Sequence, residues 1–164
     1  MERIWAPWRM AYIESTHRPD EGCIFCDAAA TGDDESSFVL TRGAFAFVLL
    51  NAFPYNPGHT MVAPVRHVSD LEALTPEELA DAGRLLQRTV AALRQAMAPD
   101  GCNLGMNLGR VAGAGIPGHL HWHVVPRWSG DTNFMSVVGE VRVLPESLAE
   151  TWAKLRPRFG ATGG

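Results

Sequence analysis

No stretch of this chain stays apolar for long. The longest apolar run, Ala44 to Leu50, falls far short of the ~20 residues that cross a bilayer, so no membrane partner is expected. The opening Met1-Glu2-Arg3-Ile4-Trp5 lacks the continuous apolar core of a signal peptide, and a cytoplasmic location is the expectation. Positive charge is also in short supply: 14 Lys and Arg stand against 18 Asp and Glu, a formal net charge of −4. Such a balance gives no chain-wide field for gripping a phosphodiester backbone, which argues against a nucleic acid partner. A small polyanionic substrate would need a local site of backbone amides and a few basic groups. Cysteine is sparse, with only Cys23, Cys26 and Cys102. An odd count, with two of the three only three positions apart, suggests metal binding or redox chemistry before a structural disulfide. At 164 residues the chain can bury about two-thirds of its unfolded surface and needs no such staple.

What the chain does contain is pattern. Residues 1–164 read as a single domain that includes an aromatic N-terminal arm over residues 1–20, where Trp5, Trp8 and Tyr12 crowd into one short segment. Rings so concentrated call for burial against the domain itself or a second subunit, with direct nucleobase contact as the alternative. Gly22-Cys23-Ile24-Phe25-Cys26 forms a compact knuckle. Strands are expected at Phe38–Thr41, Ala44–Leu50 and His59–Ala63, the last entered through the turn Pro54-Tyr55-Asn56-Pro57-Gly58. Thr75-Pro76-Glu77-Glu78 carries the marks of a helix start, with Thr75 as N-cap and Glu78 closing a capping box. From there Leu79, Ala82, Leu85, Leu86, Val90, Leu93 and Met97 share one face, and Pro99-Asp100-Gly101 ends the helix. Two more strands, Cys102–Leu108 and Leu120–Pro126, flank a glycine-rich loop, and a short helix over about Pro145–Arg156 closes the chain. This order predicts an α+β fold: an antiparallel sheet of about five strands, one long helix and a short C-terminal helix.

The richest segment chemically is His119-Leu120-His121-Trp122-His123-Val124-Val125-Pro126. Side chains alternate along a strand, so His119, His121 and His123 share one face while Leu120, Trp122 and Val124 turn to the helix. Half of the six histidines fall within five residues, which speaks against a merely wet strand face. Imidazole is largely neutral yet still basic at pH 7, and clustering disfavours charging several rings together. A neutral ring nitrogen can attack phosphorus, while its neighbours bind phosphate oxygens or assist the leaving group. The rival is a three-histidine metal site, but i, i+2, i+4 positions on one strand do not readily converge on one ion. Gly113-Ala114-Gly115-Ile116-Pro117-Gly118 spells G-x-G-x-x-G, yet Pro117 and the strand that follows deny it the helix a dinucleotide fingerprint must open.

His119-Leu120-His121-Trp122-His123-Val124-Val125 resembles the signature of the histidine-triad (HIT) family, as do Asn51–Pro64 and Asn107-Leu108-Gly109. The likeness runs from about Cys23 to Val138. It implies a covalent nucleotidyl adduct on His121, with His119 and His123 positioning phosphate and leaving group. It also implies a ribose contact from Asn51 and a phosphate-side role for Asn107. Gly113 and Gly115 lie in the loop whose backbone amides could nest an anion. His59 reads as a structural partner in the histidine network. Trp5–Met10 and Pro126–Phe134 resemble the branch of that family that splits diadenosine tetraphosphate. The expected substrate is therefore a nucleotide or dinucleoside polyphosphate. Phosphate and water remain as acceptors, because the loop before the triad has neither the glutamine of hydrolysing members nor a serine. A low-turnover nucleotide-binding protein and a nucleoside phosphoramidate hydrolase are the alternatives. The family usually forms homodimers.

Cys23-x-x-Cys26 by itself fits redox chemistry or half of a zinc site, though the βαβ setting of a thioredoxin-like pair is absent. In zinc-bearing members of the family a Pro-x-x-His segment and the first triad histidine complete the set. The matching residues are His67, in Pro64-Val65-Arg66-His67, and His119. The resemblance thus implies a structural Zn2+ on Cys23, Cys26, His67 and His119. Cys102 reads as packing.

Overall fold

The computed structural model of the chain describes residues 22–131 and 146–160. The aromatic arm, the stretch from Thr132 onward that carried part of the family likeness, and the start of the last helix lie outside the described residues. Strands β1 (Val39–Arg42), β2 (Ala46–Leu50), β3 (Thr60–Pro64), β4 (Gly101–Gly105) and β5 (Trp122–Arg127) form one sheet in the order β1-β2-β3-β5-β4. Every neighbouring pair is antiparallel. Among the described residues three α-helices accompany it: α1 (Ile24–Ala30), α2 (Pro76–Met97) and α3 (Leu148–Leu155). The expected α+β architecture, with five strands, a long helix and a short C-terminal one, is what forms.

The two faces of the sheet are covered differently. Ala46, Val48 and Leu50 of β2 point to one side with Val62 and Val124, and there meet Ala82, Leu85, Ala92 and Leu93 of α2. Phe47 and Leu49 alternate to the other side with Met61 and Ala63, where they meet Phe25 and Ala28 of α1. Because both sides are packed, every residue of β2 and β3 is buried. The α1 face holds no such apolar cluster over β5 and β4 among the described residues, and β4 forms an edge with four of its five residues exposed. Among the described residues this uneven covering leaves open ground beside β5.

Each helix is anchored by polar side chains. Helix α2 starts as the capping box predicts: Thr75 Oγ1 accepts from the Glu78 N–H, and the Glu78 carboxylate accepts from the Thr75 N–H. Glu78 also receives Nε and Nη2 of Arg66, at 2.8 and 2.7 Å. Leu79, expected on the packed stripe, is half exposed. The first turn is held instead by the buried carboxylates of Glu78 and Asp81, the latter accepting from the N–H groups of Phe45 and Ala46. Helix α1 was not anticipated where the knuckle was expected. Arg42, reaching from β1, donates to the carbonyls of Ala28, Ala29 and Thr31 and so caps the end of α1 with positive charge.

The Arg66 guanidinium, followed by the Thr75 N–H, draws the Glu78 carboxyl down to about 2. A carboxyl whose folded-state pKa lies below its unfolded value of ~4.3 stabilises the fold above that pH, and the contribution fades as pH falls toward 2. Glu78→Gln should therefore cost about 1–3 kcal/mol at pH 7 and much less near pH 2. Thermal melts of both proteins at the two pH values check this; an equal deficit at both would refute the ionic origin.

Candidate functional site

The triad straddles the start of a strand. β5 begins only at Trp122, with Val62↔Trp122 and Met61↔His123 the first pairs on β3, so His119 and His121 precede it. The Leu120 N–H leaves the β3 register to donate to the Val68 carbonyl at 2.7 Å. His119 and His121 are buried and His123 is half buried. The rings of His121 and His123 still meet edge to face, 4.9 Å between centroids. Phe25 packs against His119 at 5.1 Å and His121 at 4.8 Å.

Local partners set the tautomer of each ring. His121 Nδ1 lies 2.8 Å from the backbone carbonyl oxygen of His119. A carbonyl can only accept, so Nδ1 carries the proton and the neutral ring keeps its lone pair on Nε2. Burial pushes the His121 pKa down, with the bond to the His119 carbonyl opposing, so the ring is uncharged at neutral pH. A second chain runs through His59. The Tyr55 N–H donates to His59 Nδ1 at 3.0 Å, and His59 Nε2 lies 3.0 Å from His123 Nδ1. His59 must then donate from Nε2, which makes His123 Nδ1 an acceptor and puts the neutral His123 proton on Nε2. His121 thus presents a lone pair and His123 a donor, side by side.

His119 serves another group. Its Nδ1 lies 3.2 Å from Cys23 Sγ and 3.6 Å from Cys26 Sγ, and Cys26 Sγ lies 3.2 Å from His67 Nδ1. These four ligand atoms fall within 4.8 Å of one another. Tetrahedral zinc at ordinary bond lengths would separate a thiolate sulfur from an imidazole nitrogen by about 3.6 Å, so the donor set and its spacing fit that ion. His119 Nε2 donates to the Pro64 carbonyl at 2.9 Å, which leaves Nδ1 deprotonated toward the sulfurs. Burial, followed by the adjacent Cys23, holds the Cys26 thiol above its usual pKa, a pair that a bound cation would relieve. Both ring nitrogens of His119 are thus engaged, Nε2 by the Pro64 carbonyl and Nδ1 facing the sulfurs.

The remaining expected residues are distributed around the histidines. Asn51, buried at the end of β2, accepts from the Phe53 N–H through Oδ1, and its Nδ2 lies 3.4 Å from His59 Nδ1. This is the work of a turn residue. Asn107 Nδ2 donates to the Gly113 carbonyl at 3.3 Å, while the Gly113 N–H closes a turn on the Arg110 carbonyl. Gly113 thus aims its amide into the loop, and Gly115 sits half buried in the same loop. Phe25, Tyr55 and the Pro64 carbonyl escaped sequence reasoning. Phe25, set between the two cysteines, was the one with a local signal. No helix among the described residues is long and apolar enough to cross a membrane.

These features define a histidine-triad protein. The chain belongs to the HIT domain family, whose model matches residues 33–130. It is 40% identical to the AP-4-A phosphorylase of Mycobacterium tuberculosis H37Rv, over 92% of this chain and 80% of the relative's length. An uncharacterized HIT-like protein of Mycoplasma genitalium is 31% identical over 68% of this chain and 77% of its own. Among solved structures, a zinc-bound histidine triad family protein from Mycobacterium smegmatis superposes with a TM-score of 0.67 and 29% identity, covering 84% of this chain and 93% of that one.

Nitrogen-15 spectra of labelled histidine should show the proton on Nδ1 of His121 and on Nε2 of His59 and His123. The opposite tautomer at His121 would leave its Nε2 without a lone pair and refute the assignment.

Proposed function

We propose that this HIT-family enzyme transfers a nucleotidyl group from a dinucleoside polyphosphate such as diadenosine tetraphosphate, through a covalent nucleotidyl adduct on His121. The observation that carries the reading is the His121 Nδ1–H held by the His119 carbonyl, which leaves a neutral, buried Nε2 lone pair. Nε2 attacks the α-phosphorus, the bond from phosphorus to the bridging oxygen breaks, and the polyphosphate nucleotide departs with that electron pair. His123 Nε2–H donates a hydrogen bond to the departing oxygen. The adduct ring gains positive charge, and the His119 carbonyl stabilises it through the same Nδ1–H. An acceptor oxygen then attacks phosphorus from the vacated side and His121 returns to its neutral form. With phosphate as acceptor the products are ADP and ATP; with water they are AMP and ATP. The relative named AP-4-A phosphorylase favours phosphate. Asn51 would contact the ribose, while Asn107 and the Gly113–Gly115 loop would sit on the phosphate side.

The Cys23, Cys26, His67 and His119 set would hold zinc. Four protein ligands close its shell, so when bound it supplies a cross-link between α1 and the triad strand and no open position for chemistry. We further propose that the protein is cytoplasmic, forms a homodimer, and is one domain over 1–164 with an N-terminal arm.

Incubation with diadenosine tetraphosphate should give ADP plus ATP when phosphate is present. AMP plus ATP would reassign the acceptor to water, and no product would favour a nucleotide-binding role. His121→Gly should lower kcat at least ~10^4-fold while nucleotide binding persists; retained turnover would remove His121 from the mechanism. Elemental analysis should find about one zinc per chain, lost in Cys26→Ser. Chelation should lower the melting temperature before it lowers activity, whereas instant loss of turnover at unchanged stability would point to a catalytic metal.

A further inference from the structure

Beyond His123, on the side away from the cysteines, a cleft of about 570 Å3 follows β5 toward Arg127. Its volume lies within the ~300–1,000 Å3 range of small-molecule sites. The sheet register explains why it is open. Gly101, Asn103 and Gly105 of β4 stand opposite Arg127, Val125 and His123 of β5. Residues paired across antiparallel strands share a face, so β4 offers only two glycines and an asparagine beside the triad. Gly105 adjoins His123 itself, its backbone is not left-handed, and a Cβ built there meets nothing within 4 Å. From His123 to Arg127 the strand advances about 13 Å, well past the reach of one phosphate.

Charge inside the cleft is balanced. Arg127 is held by Asp131 through Nε at 2.6 Å and Nη2 at 2.9 Å, and its Nη1 donates to Asn103 Oδ1 at 3.0 Å. Asp131 also accepts from Asn56 Nδ2 at 2.8 Å. A guanidinium neutralised in this way is a poor anchor for bare phosphate. Tyr55, partly exposed, and Met106 and Val125 add flat and apolar surface, while the asparagines add amide groups. Apolar faces with a few hydrogen-bonding groups and no net charge suit a nucleobase and its ribose.

We propose that this cleft holds the second nucleoside of the substrate, the one that leaves at the far end of the polyphosphate, and that Gly105 is a specificity-determining residue that keeps it open. The proposal rests on the dinucleoside polyphosphate reading above, and binding separates the two. In the His121→Gly background, diadenosine tetraphosphate should bind at least ~10-fold more tightly than adenosine tetraphosphate, which has the same phosphates but no distal nucleoside. Adding Gly105→Val should remove that preference. Asn103→Ala, which cannot crowd the cleft, should reduce it about threefold and stands in should the valine variant fail to fold. Equal affinity for the two ligands without either change, or a preference unmoved by both, would overturn the proposal. So would a change of oligomeric state in light scattering with the preference intact, since the cleft would then be a contact between copies. Absent turnover by the unmodified enzyme would defeat the catalytic reading and leave these affinities to decide the subsite.

Discussion

The carbonyl of His119 is the group on which the site depends. Imidazole exchanges its proton between two nitrogens at little cost, and an unconstrained His121 would spend much of its time with Nε2 protonated and unable to bond to phosphorus. One acceptor at 2.8 Å removes that ambiguity. In the proposed mechanism the same bond would gain strength as the ring becomes cationic, favouring the covalent state without adding charge to the resting one. Burial works in the same direction by disfavouring protonation of Nε2.

That carbonyl is itself held from several sides. The His119 ring is fixed by Pro64 on one edge and by the Cys23 and Cys26 sulfurs on the other, with Phe25 against its face. Cys26 rides on α1, whose last carbonyls are gathered by Arg42 of β1. Sheet, helix and cysteine cluster thus form one mechanical frame around a peptide bond. The His59 chain adds a second frame from the opposite side, running from the Tyr55 N–H to His123. In the proposed mechanism His119 divides its labour, its side chain serving the fold and its main chain the chemistry.

Much of this was legible in the sequence, and the legible parts share a cause. The capping box at Thr75 and Glu78, the helix that follows, and the alternation of β2 are local patterns whose physics acts over a few residues. The family signature identified the triad, and the Cys23, Cys26, His67 and His119 grouping followed from matching positions. Misreadings arose where distant partners decide. Helix α1 is seven residues long and leans on Arg42, which local propensity does not register. The strand expected from Leu120 begins only at Trp122, because the Leu120 N–H bonds to Val68 and leaves the ladder.

The plainness of β4 has a further consequence for motion. Glycine loses more conformational freedom on ordering than any other residue, roughly 0.5–1 kcal/mol relative to alanine, and β4 both begins and ends with one. It is also an edge, bonded on one side only. Such a strand frays more readily than the central ones, so slow amide exchange should fade across the sheet from β3 outward to β4. The strand that walls the cleft beside His123 is thus also one of the parts of the sheet best able to breathe.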